Sequence, residues 1–178
     1  GQTDHALAML LTAIALSSTP SAALRLAYAG ALLKAGDDVQ VNQILRELRS
    51  QPLQAGDQRS YDDLVFQYTV RQADLLREKG DLVAAYDTLA PALAQRPQDP
   101  QAVSSLARMY LDNRNPDKAV ELFGPLLRQY PENADVQMGA AQAYLAAGDA
   151  GKAEDAVEKA LQLAPQNPQI LTSAAGYY

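Results

Sequence analysis

Three carboxylate pairs are the residues best placed to do chemistry: Asp37-Asp38, Asp62-Asp63 and Glu154-Asp155. Paired acids can act as a general acid and base or as oxygen ligands for Ca²⁺. Their contexts favour a plainer role. Each pair falls at a helix start or on an exposed helical face. Acids there cap free backbone N–H groups and favour the positive end of the helix dipole. Other reactive residues are scarce. The single histidine, His5, lies next to the first residues, so no histidine relay or imidazole metal site can be assembled. The chain has no cysteine, which excludes disulfides, thiolate nucleophiles and thiolate metal centres. No phosphate loop or nucleophilic triad can be traced. The residues therefore call for no catalytic group, no cofactor and no metal.

The composition sets further bounds. The chain has 178 residues, 48% of them hydrophobic and 20% charged, which is enough apolar material for a core and argues against disorder. Alanine and leucine dominate and tryptophan is absent, a mixture suited to helices. The formal net charge of −6 opposes nucleic acid and anionic membrane surfaces, both of which need a basic stripe. No apolar run reaches the roughly 18 residues that a membrane-spanning helix needs. The apolar stretch Ala6–Leu16 is shorter and lacks the basic flank of a signal peptide. The chain opens on one helical pattern and stops inside another, and so reads as a fragment of a longer protein.

A repeat positions these residues. Residues 66–99, 100–133 and 134–167 align without gaps, a fixed period of the kind that signals a repeat array. Position 8 of each copy is small (Ala73, Ala107, Ala141), as is position 20 (Ala85, Ala119, Ala153). Position 11 holds Leu76, Tyr110 and Tyr144, and position 24 holds Leu89, Phe123 and Val157. Position 32 is Pro97, Pro131 or Pro165. Each copy predicts two amphipathic helices joined by a tight turn. The alanines let the helices approach, the larger residues fill the core, and the proline ends the second helix. Asp99-Pro100, Asn115-Pro116 and Asn167-Pro168 each set an N-cap residue before a proline at the first helical position. Residues 168–178 begin a further copy.

Upstream the pattern is looser. Residues 4–18 predict one helix, stopped by Pro20. Residues 21–51 predict a pair, with Ser21 as cap and a stripe of Leu24, Tyr28, Leu32 and Leu33. Gly36-Asp37 makes the turn, and Val41, Ile44, Leu45 and Leu48 line the second helix. The turns Gly36-Asp37 and Gly80-Asp81 lie ten residues further apart than one repeat allows. The excess falls in Gln51–Tyr61, where Pro52 and Gly56 act as breakers and Ser60 as a cap, with a helix of about 20 residues from Ser60 to Lys79. This gives three segments: an N-terminal one over 1–51, an insertion over 52–60 and a C-terminal one over 61–178. The insertion is either a tolerated loop or a hinge.

The small residues at 8 and 20, tyrosine at 11, a large residue at 24 and proline at 32 resemble the tetratricopeptide repeat. The resemblance implies an all-α solenoid of stacked helix pairs that acts by binding other proteins. Position 4 departs from it, being Thr69, Val103 and Gln137 rather than tryptophan, and position 27 is Leu126 in the middle copy. In this family a concave face is formed by first-helix positions 2, 5, 9, 12 and 13. The resemblance therefore implies a face of Gln67, Val70, Asp74, Arg77 and Glu78. Gln101, Ser104, Arg108, Leu111 and Asp112 follow, then Asp135, Met138, Gln142, Leu145 and Ala146. The lysine and asparagine clamp used by chaperone-tail binders of the family is absent from every copy. Tyr110 and Tyr144 sit at the core position rather than on this face.

A narrower resemblance lies in Gln72–Asp81, Ala84–Leu93 and the closing Ala174–Tyr178. These stretches are similar to the repeat region of the cellulose synthase operon protein C family. That resemblance implies a periplasmic scaffold ahead of an outer-membrane β-barrel in an exopolysaccharide secretion complex. Its partners would be other subunits and the exported polysaccharide. Alginate and Pel scaffolds share the pattern. A generic peptide-binding adaptor and direct glycan binding in the concave groove are the alternatives.

Overall fold

A computed structural model describes all 178 residues. The chain forms ten α-helices: α1 (Gln2–Leu16), α2 (Ala22–Ala35), α3 (Asp38–Arg49), α4 (Ala55–Glu78), α5 (Leu82–Gln95), α6 (Pro100–Asp112), α7 (Pro116–Gln129), α8 (Ala134–Ala146), α9 (Ala150–Leu163) and α10 (Pro168–Ala175). They group into two compact units, Gly1–Arg71 and Gln72–Tyr178, and α4 runs from one into the other.

In the first unit, α2 packs against α1 and α3. Ser21 caps α2 by accepting a hydrogen bond from the Leu24 amide. Gly36 closes α2 in the left-handed region, with φ of 83°. The core holds Leu26, Ala29, Leu32, Leu33, Val41, Leu45, Leu48 and Leu64. Leu24 and Tyr28, expected in the stripe of α2, are only half-buried, and Leu26 and Ala29 take the inner places. α1 ends at Leu16, two residues short of the expected end at residue 18.

The insertion differs from its expected form. α4 begins at Ala55 and runs for 24 residues, so only residues 50–54 remain outside helix between α3 and α4. Ser60 is not a cap. Its hydroxyl donates to the Gly56 carbonyl inside the helix. Gly56 does not break the helix, because one interior glycine costs only about 1 kcal/mol. Neighbouring contacts favour continuation: the Gln58 side-chain amide donates to Asp62 one turn on at 2.9 Å. Asp62 and Asp63 accordingly sit on an exposed face in the body of α4. Pro52 is the effective breaker.

In the second unit the repeat is realised directly. Ala73, Ala85, Ala107, Ala119 and Ala141 have no exposed surface, and Ala153 has 1%. Leu89, Phe123 and Val157 are equally buried. Each second helix ends two residues before its proline, with Arg96, Tyr130 and Ala164 as C-caps. Asp81, Asp99, Asn133, Asp149 and Asn167 cap their helices through side-chain oxygens. Asn115 precedes α7 but makes no such bond. The turn before it uses Arg114 at φ of 58°, where the other copies have Gly80 and Gly148 at 85°. Pro91 and Pro125 lie inside α5 and α7 on the exposed side, each removing one helical hydrogen bond.

The first helices of successive copies touch: α6 meets α8, and α8 meets α10. α8 also packs on α7, and Gly139 permits that approach, because a Cβ there would lie 2.6 Å from Cζ of Phe123.

Candidate functional site

A 34-residue period that stacks first helices in register brings residue i beside residue i+34. Asp74 on α4 and Arg108 on α6 have that spacing, and they form an ion pair at 3.1 Å. The neighbouring Ser105 hydroxyl donates to the Asp74 carboxylate at 2.8 Å. One turn along, Arg77 donates to Asp112 at 2.9 Å, and its Nε lies 3.8 Å from Asp74. Glu78 approaches the other side of Arg77 at 3.7 Å. The result is a charged network across two consecutive first helices.

Its burial is graded. Ser105 is fully buried, the Arg77 side chain is 16% exposed and that of Arg108 is 41% exposed. The Nε atoms of Arg77 and Arg108 are buried without a hydrogen-bond partner. Asp74 sits where its carboxylate serves Ser105 and both arginines. Removing it would leave the buried Ser105 hydroxyl and the Arg108 guanidinium without their shared acceptor, while Arg77 would keep Asp112.

The expected face residues fall into three groups. Asp74, Arg77, Glu78, Arg108 and Asp112 join the network. Gln67, Gln101, Asp135, Gln142, Leu145 and Ala146 are exposed, while Ser104 and Leu111 are half-buried. Val70 and Met138 are buried, with 6% and 5% exposure, and present little surface. Met138 packs with Ala141, Ala156, Val157 and Ile170 in the core between α8, α9 and α10. The family positions could not show Ser105, which lies at position 6. The available signal was a small hydroxyl among apolar neighbours, 31 residues after an aspartate.

Tyr110 and Tyr144 are half-buried and pack on the cluster around Phe123 and Val136. Lys152 lies over the Tyr144 ring, 5.7 Å from its centre. Asp149 is held below its ordinary value of 3.8 by the backbone hydrogen bond from Lys152 and then by the Lys152 side chain. Burial raises Tyr68, with help from Asp38, and burial alone raises Tyr177. No three His, Cys, Asp or Glu side chains converge on a point where they could hold a metal ion.

Two tetratricopeptide-repeat models match the sequence, one over residues 76–129 and the other over 104–168. Together they span more than half of the chain. This chain belongs to the tetratricopeptide-repeat family. Solved tetratricopeptide proteins share the fold. A thermophilic member from Thermus thermophilus aligns over 99% of this chain and 91% of its own, with a TM-score of 0.61 at 22% identity. YrrB, described as having an unusual peptide-binding site, aligns over 98% of this chain and 84% of its own, with a TM-score of 0.52 at 18% identity. Among curated proteins, "Cellulose synthase operon protein C" of Pseudomonas fluorescens (strain SBW25) is 48% identical over 123 residues. That match takes in 69% of this tetratricopeptide chain and 10% of the relative. The protein of the same name from Xanthomonas axonopodis pv. citri (strain 306) is 40% identical over 62% of this chain and 7% of its own length. The chain thus spans about a tenth or less of these relatives. No helix in it is long and apolar enough to cross a membrane.

Proposed function

We propose that this chain is a non-enzymatic interaction scaffold in a bacterial cellulose synthesis and secretion complex, working in the periplasm. The observation that carries the reading is the 48% identity over 123 residues to a cellulose synthase operon protein C. The site geometry supports it. The network of Asp74, Ser105, Arg108, Arg77 and Asp112 ties the last turns of α4, within the second unit, to α6. The exposed amides of Gln101 and Gln142 stand on the same helical face. A binding surface whose side chains are already ordered loses less entropy when a partner docks. The partners in this reading are other protein subunits of the complex.

The test uses the full-length protein in its own cells, with Gln101→Glu and Gln142→Glu combined. Both residues are exposed, so the fold should persist. Cross-linking should then recover fewer partner subunits, and less cellulose should be exported. An unchanged partner set with normal export, or recovery of the protein from the cytoplasm, would contradict the proposal.

A further inference from the structure

A second surface lies away from the charged network, between α5 and α6. It is an open groove of about 350 Å³, at the small end of the range for ligand sites, which run from roughly 300 to 1,000 Å³. Leu106 and Met109 line it from α6, and Val83 and Tyr86 from α5. Val83 is 75% exposed and Tyr86 is 51% exposed. Tyr110 adds a second ring. Leu82 and two polar residues, Asp87 and Asn113, complete the lining. Neither side chain makes a hydrogen bond or ion pair within the chain. No lysine or arginine lines the groove.

We infer that this groove binds a short segment of a neutral glucan. The inference rests on the proposed role in cellulose export for the identity of the sugar, and on the lining for the chemistry. A pyranose ring has an apolar face that packs on an aromatic face, and Tyr86 supplies an exposed ring, with half-buried Tyr110 beside it in the lining. Its hydroxyls both donate and accept. They satisfy the Asp87 carboxylate, which only accepts, and the Asn113 amide, which does both. The lone carboxylate and the lack of a cation select against anionic ligands and favour an uncharged one. A peptide helix would fill the apolar part but would need a cation opposite Asp87.

The array contains its own comparison. One repeat further on, Tyr86 is replaced by Val120, Asp87 by Glu121 and Asn113 by Ala147. Only Tyr110 has an aromatic counterpart there, Tyr144. The aromatic, carboxylate and amide combination therefore belongs to the α5–α6 junction and not to the repeat as such.

The test is a nuclear magnetic resonance titration of the 178-residue chain with cellohexaose. The amide resonances of Val83, Tyr86, Asp87 and Asn113 should move together. Tyr86→Ala should weaken binding by about tenfold, Tyr86→Phe should retain it, and Val120→Ala should leave it unchanged. Circular dichroism confirms that each variant is folded. The inference is overturned if the groove does not respond to millimolar cellohexaose, or if the shifts centre on Arg108 and Gln142. It is equally overturned if Tyr86→Ala binds like the parent, or if the groove takes an amphipathic peptide and ignores the sugar. A negative sugar titration beside intact partner cross-linking would count against this groove alone and leave the scaffold role standing.

Discussion

Two junctions in the second unit share one register and differ in chemistry. Where α4 precedes α6, first-helix positions 6 and 9 carry Ser105 and Arg108, and both turn to Asp74. Where α6 precedes α8, the same positions carry Gly139 and Gln142. There the Phe123 ring occupies the space that a Cβ at Gly139 would need, and Gln142 is left exposed. One junction is tied by a polar network and the other by close apolar packing. The period decides which positions meet, and the side chains decide what the meeting does. Repeat arrays permit this because each repeat contacts only its neighbours, so one junction can change while the next is kept.

The contrast can be broken at its most tightly packed point. Ala141 is fully buried at the small position of α8. Ala141→Leu should cost about 1–3 kcal/mol through overpacking, a fall in Tm of roughly 2–4 °C per kcal/mol for a chain of this size. An unchanged Tm would mean that the register is misplaced. Gly139→Ala should cost somewhat less, about 1–2 kcal/mol, because the better helix propensity of alanine offsets part of the clash with Phe123. Adding Phe123→Leu should recover much of that loss, since Leu89 occupies the same position one repeat earlier and there the facing position is Ser105, which has a Cβ. Simple additivity in this double-mutant cycle would disprove the pairing.

Smaller effects lie in the turns and caps. Arg114 holds a left-handed φ of 58° where its counterparts are glycines. Arg114→Gly should stabilise by up to about 1 kcal/mol in thermal unfolding, because glycine adopts that conformation without a Cβ penalty. Asp149 and Asn115 make the corresponding comparison at helix starts. The folded-state pKa of Asp149 is depressed, so its contribution is present above its ordinary value of 3.8 and is lost as pH falls through the lower folded value. The first turn of α9 should therefore exchange its amides faster at low pH, and Asp149→Asn should remove that dependence. α7, which starts at uncharged Asn115 without a side-chain cap bond, should show no matching change from its cap residue.

Much of this was legible in the sequence, for a physical reason. A fixed period multiplies every weak signal by the number of copies, so the buried alanines, Leu89, Phe123, Val157 and the prolines after the second helices could be assigned from spacing alone. The first unit has no such multiplication. The departures from expectation near it are local: Ser60 caps nothing, Gly56 breaks nothing, and Leu26 and Ala29 hold the inner places expected of Leu24 and Tyr28. A single glycine or serine is a weak signal that helix continuation overrides. The expected face was legible as a set of positions and not as a set of interactions. Spacing placed Asp74, Arg77 and Arg108 on one side but could not show that they pair with one another. Nor could it bring in Ser105 from outside the pattern. The groove at Tyr86 escaped for the opposite reason, because it combines a second-helix position with a first-helix position that the repeat assigns to the core.

The most direct measurement compares Asp74→Ala with Gln142→Ala, two substitutions at the same repeat position, by urea unfolding. Asp74→Ala should cost about 1–3 kcal/mol, because it strips the acceptor from buried Ser105 and from Arg108. Gln142→Ala, on the exposed face of the apolar junction, should stay within about 0.5 kcal/mol of the parent. Equal losses at the two sites would contradict the claim that identical register carries different chemistry at the two junctions.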